Sequence, residues 1–433
     1  MKHLLIICLA AIGFSSLKAQ DVFIPINYSA LEKKVAKSNA EIADPKKKVN
    51  PKTWIRRGEI MLSAYEVDIE QIYEGMNPTS LILFYKEPVK STEEIDGKSY
   101  DVYSYERARF YFDNNALVMW KRIKMAYENP LIEAYNSFIK AEELDTNSKL
   151  SDDLLADYKK LKDHLKKNGI NNYYTGNKEE ALTNFELVLT INKRSLLKNV
   201  IDTVLIQYSG IIAREIHQID RAIMHYKVLA SVDNQPNTYL LLKEDYLKQK
   251  DTLNALSTME EAFSKYPDTL NVVANLVDLY IRTDKIQEGL TTIETALSHN
   301  PEKGEFYYWK GRLQLNTTDE DRITQALASY DMAISKNPEL YYAYYDIGFI
   351  YFLQGQDLFT RAGEEKDLKF REEMIKVGTE NYELAVPNLE KALELNKINK
   401  EIRRETLDTL KRVYYKLQMT EKYDEASEML KNL

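Results

Sequence analysis

The sequence holds a single cysteine, Cys8, which sits inside an apolar run close to the N-terminus. A chain that loses this run carries no thiol, which excludes a disulfide framework, a cysteine nucleophile and a thiolate metal site together. Glycine and proline are scarce, at 14 and 11 in 433 residues, while Leu, Lys, Glu and Ala abound, so long helices are favoured over many short strands joined by turns. Beyond the N-terminal run, no segment is long and uncharged enough to span a membrane. Positive charge is in deficit, 59 Lys and Arg against 67 Asp and Glu, and no basic stripe offsets it, so nucleic acid is not expected as a partner. The one dense basic cluster, Lys46, Lys47 and Lys48 with Lys52, lies beside Pro45 and Pro51 and reads as a solvated loop.

Recognisable chemistry is also missing. His217 and His225 are eight positions apart, but Ile219-Asp220 falls at a turn between two helices, which argues against a shared metal-binding face. Neither His164 nor His299 belongs to a His-Glu-x-x-His sequence. Between Gly169 and Lys178 the glycines are not followed by the Gly-Lys-Ser/Thr of a phosphate loop. Asp145-Thr146-Asn147 opens like a calcium loop without its glycine or terminal glutamate and reads as a helix end. The pairs Glu364-Glu365 and Glu372-Glu373 occupy adjacent helical positions that point apart. No catalytic centre, cofactor or metal is therefore expected, and the chain is read as a non-enzyme.

What is present begins with a charged start, Met1-Lys2-His3, an apolar run from Leu4 to Phe14, and Ala19 before a polar stretch. This is the pattern of a secretory signal peptide over residues 1–19, with cleavage after Ala19, and it predicts a periplasmic or secreted protein. Loss of Lys2 and Lys18 lowers the basic count from 59 to 57 against 67 acids, a formal charge of −10.

Downstream the sequence repeats. Tyr246 and Tyr280, Ala262 and Ala296, and Pro267 and Pro301 are each separated by 34 positions. The same small-residue, aromatic and proline pattern recurs in Gly169, Ala181 and Phe185, in Gly210, Ala222 and Tyr226, and in Gly311, Ala326, Tyr330 and Pro338. It returns in Gly348 with Ala385 and Leu389, and weakly in Val413, Leu417 and Ala426. In this period and pattern the chain resembles the tetratricopeptide-repeat (TPR) family, including exported bacterial members. The resemblance implies an all-α solenoid of helical hairpins wound as a right-handed superhelix, in seven or eight repeats. Small residues let paired helices approach, and an aromatic fills the wedge between them.

Two repeats are interrupted. Trp54 to Gly58 has the form of a first helix, whereas its second-helix counterpart, Leu131 to Leu144, comes much later. Residues 20–51 are then an N-terminal segment with a capping helix, and 52–146 a repeat split by an insertion over 67–129. Ser80–Tyr85, Tyr100–Tyr105 and Arg107–Phe112, rich in β-formers and punctuated by Asp96-Gly97 and Asn114-Asn115, predict a small β-element there. Residues 147–433 form the rest of the solenoid, with a charged insertion at 356–380 that extends the penultimate helix pair.

Members of the family bind proteins or peptides along the first helices of their pairs. The positions that line the groove in the family correspond here to Tyr308 and Arg312, then Tyr342, Tyr345, Phe349 and Phe352, then Tyr415. With 31 tyrosines in the chain, an aromatic binding surface is in keeping with composition. The lysine and asparagine that clamp a peptide carboxylate in some members are replaced by Lys166 and Ile170, Gln207 and Ile211, and Leu240 and Glu244, so a chaperone-tail adaptor is disfavoured. The expectation is an interaction scaffold at the cell envelope. The alternative is a periplasmic enzyme or ligand-binding protein using Asp101, Glu106 and Arg107 of the insertion.

Overall fold

The computed structural model describes residues 28–85, 87–232 and 235–433. The expected signal peptide and Cys8 lie outside the described residues. The chain divides into two compact units, Met1–Gln218 and Ile219–Leu433. Among the described residues no helix is long and apolar enough to cross a membrane.

In the first unit, α1 (Tyr28–Ala43) packs on α2 (Pro51–Glu66). Asn50 and Pro51 start α2: the Asn50 side chain accepts from the Lys52 N–H, and the proline occupies the first turn, where no N–H is needed. Arg57, only 4% exposed, fastens three helices by donating to Ser38 and Asn39 of α1 and to Glu133 of α4 (Pro130–Leu144) at 3.3, 2.8 and 2.6 Å. The partner of α2 is α4, and the two are separated in sequence by a short helix and a sheet. A Cβ built on Gly58 would stand 2.1 Å from Phe138, so only glycine lets α2 approach this ring.

The sheet is an antiparallel meander of β1 (Val89–Ile95), β2 (Lys98–Ser104), β3 (Ala108–Asp113) and β4 (Ala116–Arg122), in that spatial order. Asp96-Gly97 and Asn114-Asn115 make its two tight turns with positive φ at both positions, as two-residue hairpin loops require. The expected strand at Ser80–Tyr85 is instead a helix, α3 (Pro78–Tyr85). Its β-forming composition is overridden locally: Pro78 opens the helix, the Asn77 side chain caps the Ser80 N–H at 2.8 Å, and Leu81 is buried against Phe110 and Phe112. Asp145, the first residue of the calcium-like triplet, closes α4 by accepting from the Lys149 and Leu150 N–H groups. The unit continues with α5 (Ser151–Tyr174), which pairs with α6 (Lys178–Asn192), and α7 (Thr203–Glu215).

The second unit opens with α8 (Ile219–Val232). Five antiparallel hairpins follow: α9 (Pro236–Lys248) with α10 (Thr252–Lys265), α11 (Leu270–Arg282) with α12 (Ile286–His299), α13 (Gly304–Gln314) with α14 (Arg322–Lys336), α15 (Tyr341–Glu364) with α16 (Leu368–Leu395), and α17 (Lys400–Lys416) with α18 (Thr420–Lys431). Three of these first helices, α9, α11 and α17, end alike. Lys250, Asp284 and Gln418 adopt positive φ, and the following N–H reaches back to Tyr246, Tyr280 and Tyr414 at 2.9 Å each, a Schellman closure that satisfies the last carbonyls. The insertion at 356–380 adds no new element; it lengthens α15 and α16 to 24 and 28 residues. The overhang packs on itself through the stacked rings of Phe359 and Tyr382, centroids 5.3 Å apart.

Three further hairpins show the same contact of a first-helix glycine with a bulky side chain of the second helix. Gly169 meets Phe185, Gly311 meets Tyr330 and Gly348 meets Leu389, with built Cβ distances of 2.4, 2.6 and 2.6 Å. Gly169→Ala is expected to cost about 1–3 kcal/mol, read as a fall in urea midpoint, because the ring of Phe185 has to shift. Gly363→Ala, whose Cβ would meet nothing within 4 Å in a helix, is expected to be neutral or slightly stabilising.

Candidate partner-binding faces

The seven aromatic and basic residues expected along the first helices do not share one environment. Tyr308 and Phe352 are core residues, 6% and 5% exposed, while Tyr415 stands 71% exposed at the edge of α17. Between these extremes Tyr342, Tyr345 and Phe349 are half-buried at successive turns of α15. Tyr345 and Phe349 stack, with centroids 5.6 Å apart and planes 13° apart, and Phe349 continues to Phe352 at 6.0 Å. Tyr342 leans on Tyr308 at 4.4 Å, and Arg312 Nη1 donates to the Tyr308 hydroxyl at 3.3 Å. The Tyr345 hydroxyl donates to Glu405 of α17 at 3.3 Å. Rings held this way offer contact area without further rotamer loss.

Beneath the stripe lies a carboxylate that sequence patterning did not single out. Asp346 shares its surroundings with Tyr308, Tyr330 and Arg312, and desolvation raises its pKa to about 6 against the opposing pull of the guanidinium and the phenols. Burial likewise raises the Tyr308, Tyr330, Tyr342 and Tyr345 hydroxyls, so all four are neutral donors at ordinary pH.

The polar residues of the insertion go three ways. Arg107 pairs with the buried Asp68 at 2.9 Å and lies over the Tyr28 ring at 4.3 Å, while the Tyr28 hydroxyl also donates to Asp68. Glu106 pairs in solvent with Lys124 at 3.2 Å, and Asp101 is exposed on β2. The Arg107 pair is a fastening between sheet and helices, and no shared polar site forms among the three.

A second recess, in the first unit, was not foreseen. The segment that leaves β4 runs past the starts of α4 and α6 and encloses a groove of about 790 Å³. Its apolar wall includes Met125, Leu131, Ile132 and Leu187, and Tyr65, Asn168 and Asn184 lie opposite. The polar side is wired in place: Arg122 donates to the Tyr65 carbonyl and to Asn168 at 2.8 and 3.2 Å, Asn168 donates to Asn184 at 3.3 Å, and Asn184 donates to the Glu180 carbonyl at 2.6 Å. Nothing local marks this groove in the sequence, because its wall depends on where the chain travels after β4.

No protein-family model matches the chain, and no curated protein matches it. Solved structures similar to it include MamA, at 20% identity over 43% of this chain and 96% of that one, TM-score 0.30. Another is YrrB, described as a TPR protein with an unusual peptide-binding site, at 16% identity over 51% and 95%, TM-score 0.31. A third is a monomeric IFIT1 mutant with Gppp-AAAA, at 16% identity over 70% and 66%, TM-score 0.36.

The pKa of Asp346 yields a pH test. Its folded value of about 6 exceeds the ~3.9 of an unfolded chain, so its favourable contribution is complete below pH ~4 and is lost as pH rises through 6. The stability of Asp346→Asn relative to the parent is expected to grow by on the order of 2 kcal/mol between pH 4 and 7 in urea titrations. A difference independent of pH contradicts this. By its own packing, the chain has the fold of tetratricopeptide-repeat helical hairpins in each of its two units.

Proposed function

We propose that this protein is an interaction scaffold that holds a protein or peptide partner, and that it acts in the periplasm or at the cell envelope rather than as an enzyme. The observation that carries the reading is the Tyr342, Tyr345 and Phe349 stripe: large rings, half open to solvent, immobilised by Tyr308, Glu405 and each other. Fixed aromatics of this kind are the usual anchors of protein recognition. The peptide-binding site in the description of YrrB is in keeping with it. The signal-peptide pattern of residues 1–19 supports export.

Photo-crosslinking amino acids placed at 345 or 349 in living cells of the source organism test the reading. A discrete adduct is expected from these positions in the periplasmic or envelope fraction, and none from the exposed control position 253. Equal labelling from 253, or no adduct at 345 and 349, contradicts the scaffold face; adducts confined to the cytoplasm contradict the location.

A further inference from the structure

We infer that the open edge of β1 is a dimerisation surface, and that its occupant is β1 of a second copy of this chain, antiparallel to it across a two-fold axis at Thr92. β1 ends the meander and pairs on one side, with β2. The two-residue turn Asp96-Gly97 closes on Ile95 and Lys98 as a hydrogen-bonded pair, so Val89, Ser91, Glu93 and Ile95 bond to β2. The N–H and C=O groups of Lys90, Thr92 and Glu94 then point outward. The next turn agrees with this alternation: the Tyr105 N–H donates to the Ala108 carbonyl at 2.9 Å, which assigns Asp101, Tyr103 and Tyr105 to β3 and the residues between them to β1. No other backbone group of the described residues reaches Lys90, Thr92 or Glu94, and such a row of open groups is a template for another strand.

The strand is complementary to itself. Across a two-fold at Thr92, Lys90 opposes Glu94 of the second copy, Glu94 opposes its Lys90, and Thr92 opposes Thr92, so every outward residue meets an outward residue and each pair exchanges two backbone hydrogen bonds. Opposite charges directly across a ladder stabilise it, and like charges do the reverse. Charged residues on an edge strand commonly bar pairing, and in the neighbouring registers they do so here. A two-fold at Lys90 sets lysine against lysine, one at Glu93 or Glu94 sets glutamate against glutamate, and one at Ser91 places Glu94 opposite Pro88, which has no N–H to give. The register at Thr92 also seats Val89, 72% exposed, opposite Ile95 of the second copy, whose side chain adjoins the buried cluster of Val102, Tyr111 and Met119.

The remaining charges of this edge leave the match intact. On the opposite face Glu93 accepts from the Tyr111 hydroxyl at 3.3 Å and pairs with Arg109 at 3.7 Å, and Lys98 is held by Asp113. On the face of Lys90 and Glu94 the neighbouring acid is Asp101, which lies across from Thr92 on β2, one strand in from the edge. Glu87 and Asp96 lie beyond the ends of the strand. Lys90 rests over the Tyr103 ring at 5.1 Å, and among the described residues neither Lys90 nor Glu94 has an opposite charge within ion-pair distance. Both are exposed and available to a second copy.

Sedimentation equilibrium of the purified chain tests this, and a monomer–dimer equilibrium is expected. Thr92→Pro removes an outward N–H that β2 does not use, a position where an edge strand tolerates proline, so the fold should persist while dimerisation weakens by about tenfold or more. Lys90→Glu and Glu94→Lys should each weaken self-association by about tenfold or more, because each homodimer then sets like charges opposite one another. An equimolar mixture of those two variants should dimerise again, since Glu at 90 faces Lys at 94 and Lys at 90 faces Glu at 94. Unchanged melting temperatures verify that the variants fold. Tyr345→Ala with Phe349→Ala should leave the dimer unchanged, which separates this surface from the aromatic-face reading. A chain that stays monomeric up to ~1 mM overturns the proposal. So does a dimer indifferent to Thr92→Pro, a dimer lost with Tyr345 and Phe349, or a mixture that fails to restore association.

Discussion

A glycine on one helix facing a bulky side chain on its partner is the contact on which the remaining architecture depends. Helices approach this closely only where a Cβ is absent, and the ring of Phe138, Phe185 or Tyr330 then fills the space that the missing side chain leaves. A hairpin so closed still exposes an apolar flank, which the neighbouring hairpin covers. Stability is accordingly a sum of short-range terms: the packing within each hairpin, closed in four of them by this interlock, and the interface with its neighbour.

This modular arrangement explains how the chain tolerates two large interruptions. The sheet and α3 are inserted between α2 and α4, yet Gly58 still meets Phe138, because closure depends on the helix faces and not on the length of the connection. The inserted elements are not loosely attached: Arg122 spans from β4 to Tyr65 and Asn168, and Arg107 reaches Asp68. Rigid insertion and rigid hairpins together create the groove beside α4 and α6. In the second unit the same interlock fixes Tyr330, which packs on Tyr308 at 5.5 Å; Tyr308 in turn supports Tyr342, so the open aromatic stripe stands on the closed core.

Much of this was legible because the interlock has a sequence spacing. Gly169 and Phe185 are 16 positions apart, Gly311 and Tyr330 are 19, and Gly348 and Leu389 are 41. The excess over 16 in the last pair equals the 25 residues of 356–380, and the extra three fall in the turn before α14. Within the β-element, Asp96-Gly97 and Asn114-Asn115 announced their turns through residue types that accept positive φ. The sequence of β1, Val-Lys-Ser-Thr-Glu-Glu-Ile, shows no buried face because it is an exposed edge strand paired on one side with β2. Ser80–Tyr85 misled because a cap at Asn77 and a proline outweighed β propensity. Nothing in the sequence marks Asp346, since the groups that surround it, Tyr308, Tyr330 and Arg312, come from two other helices.

The central claim is energetic: that Gly169 is required because of the Phe185 ring and not because of helix propensity or turn geometry. A double-mutant cycle of Gly169→Ala with Phe185→Leu measures it directly. The account predicts that the alanine costs at least ~1 kcal/mol less in the leucine background, because the smaller side chain leaves room for the added methyl. An equal cost in both backgrounds would contradict the interlock as the organising contact.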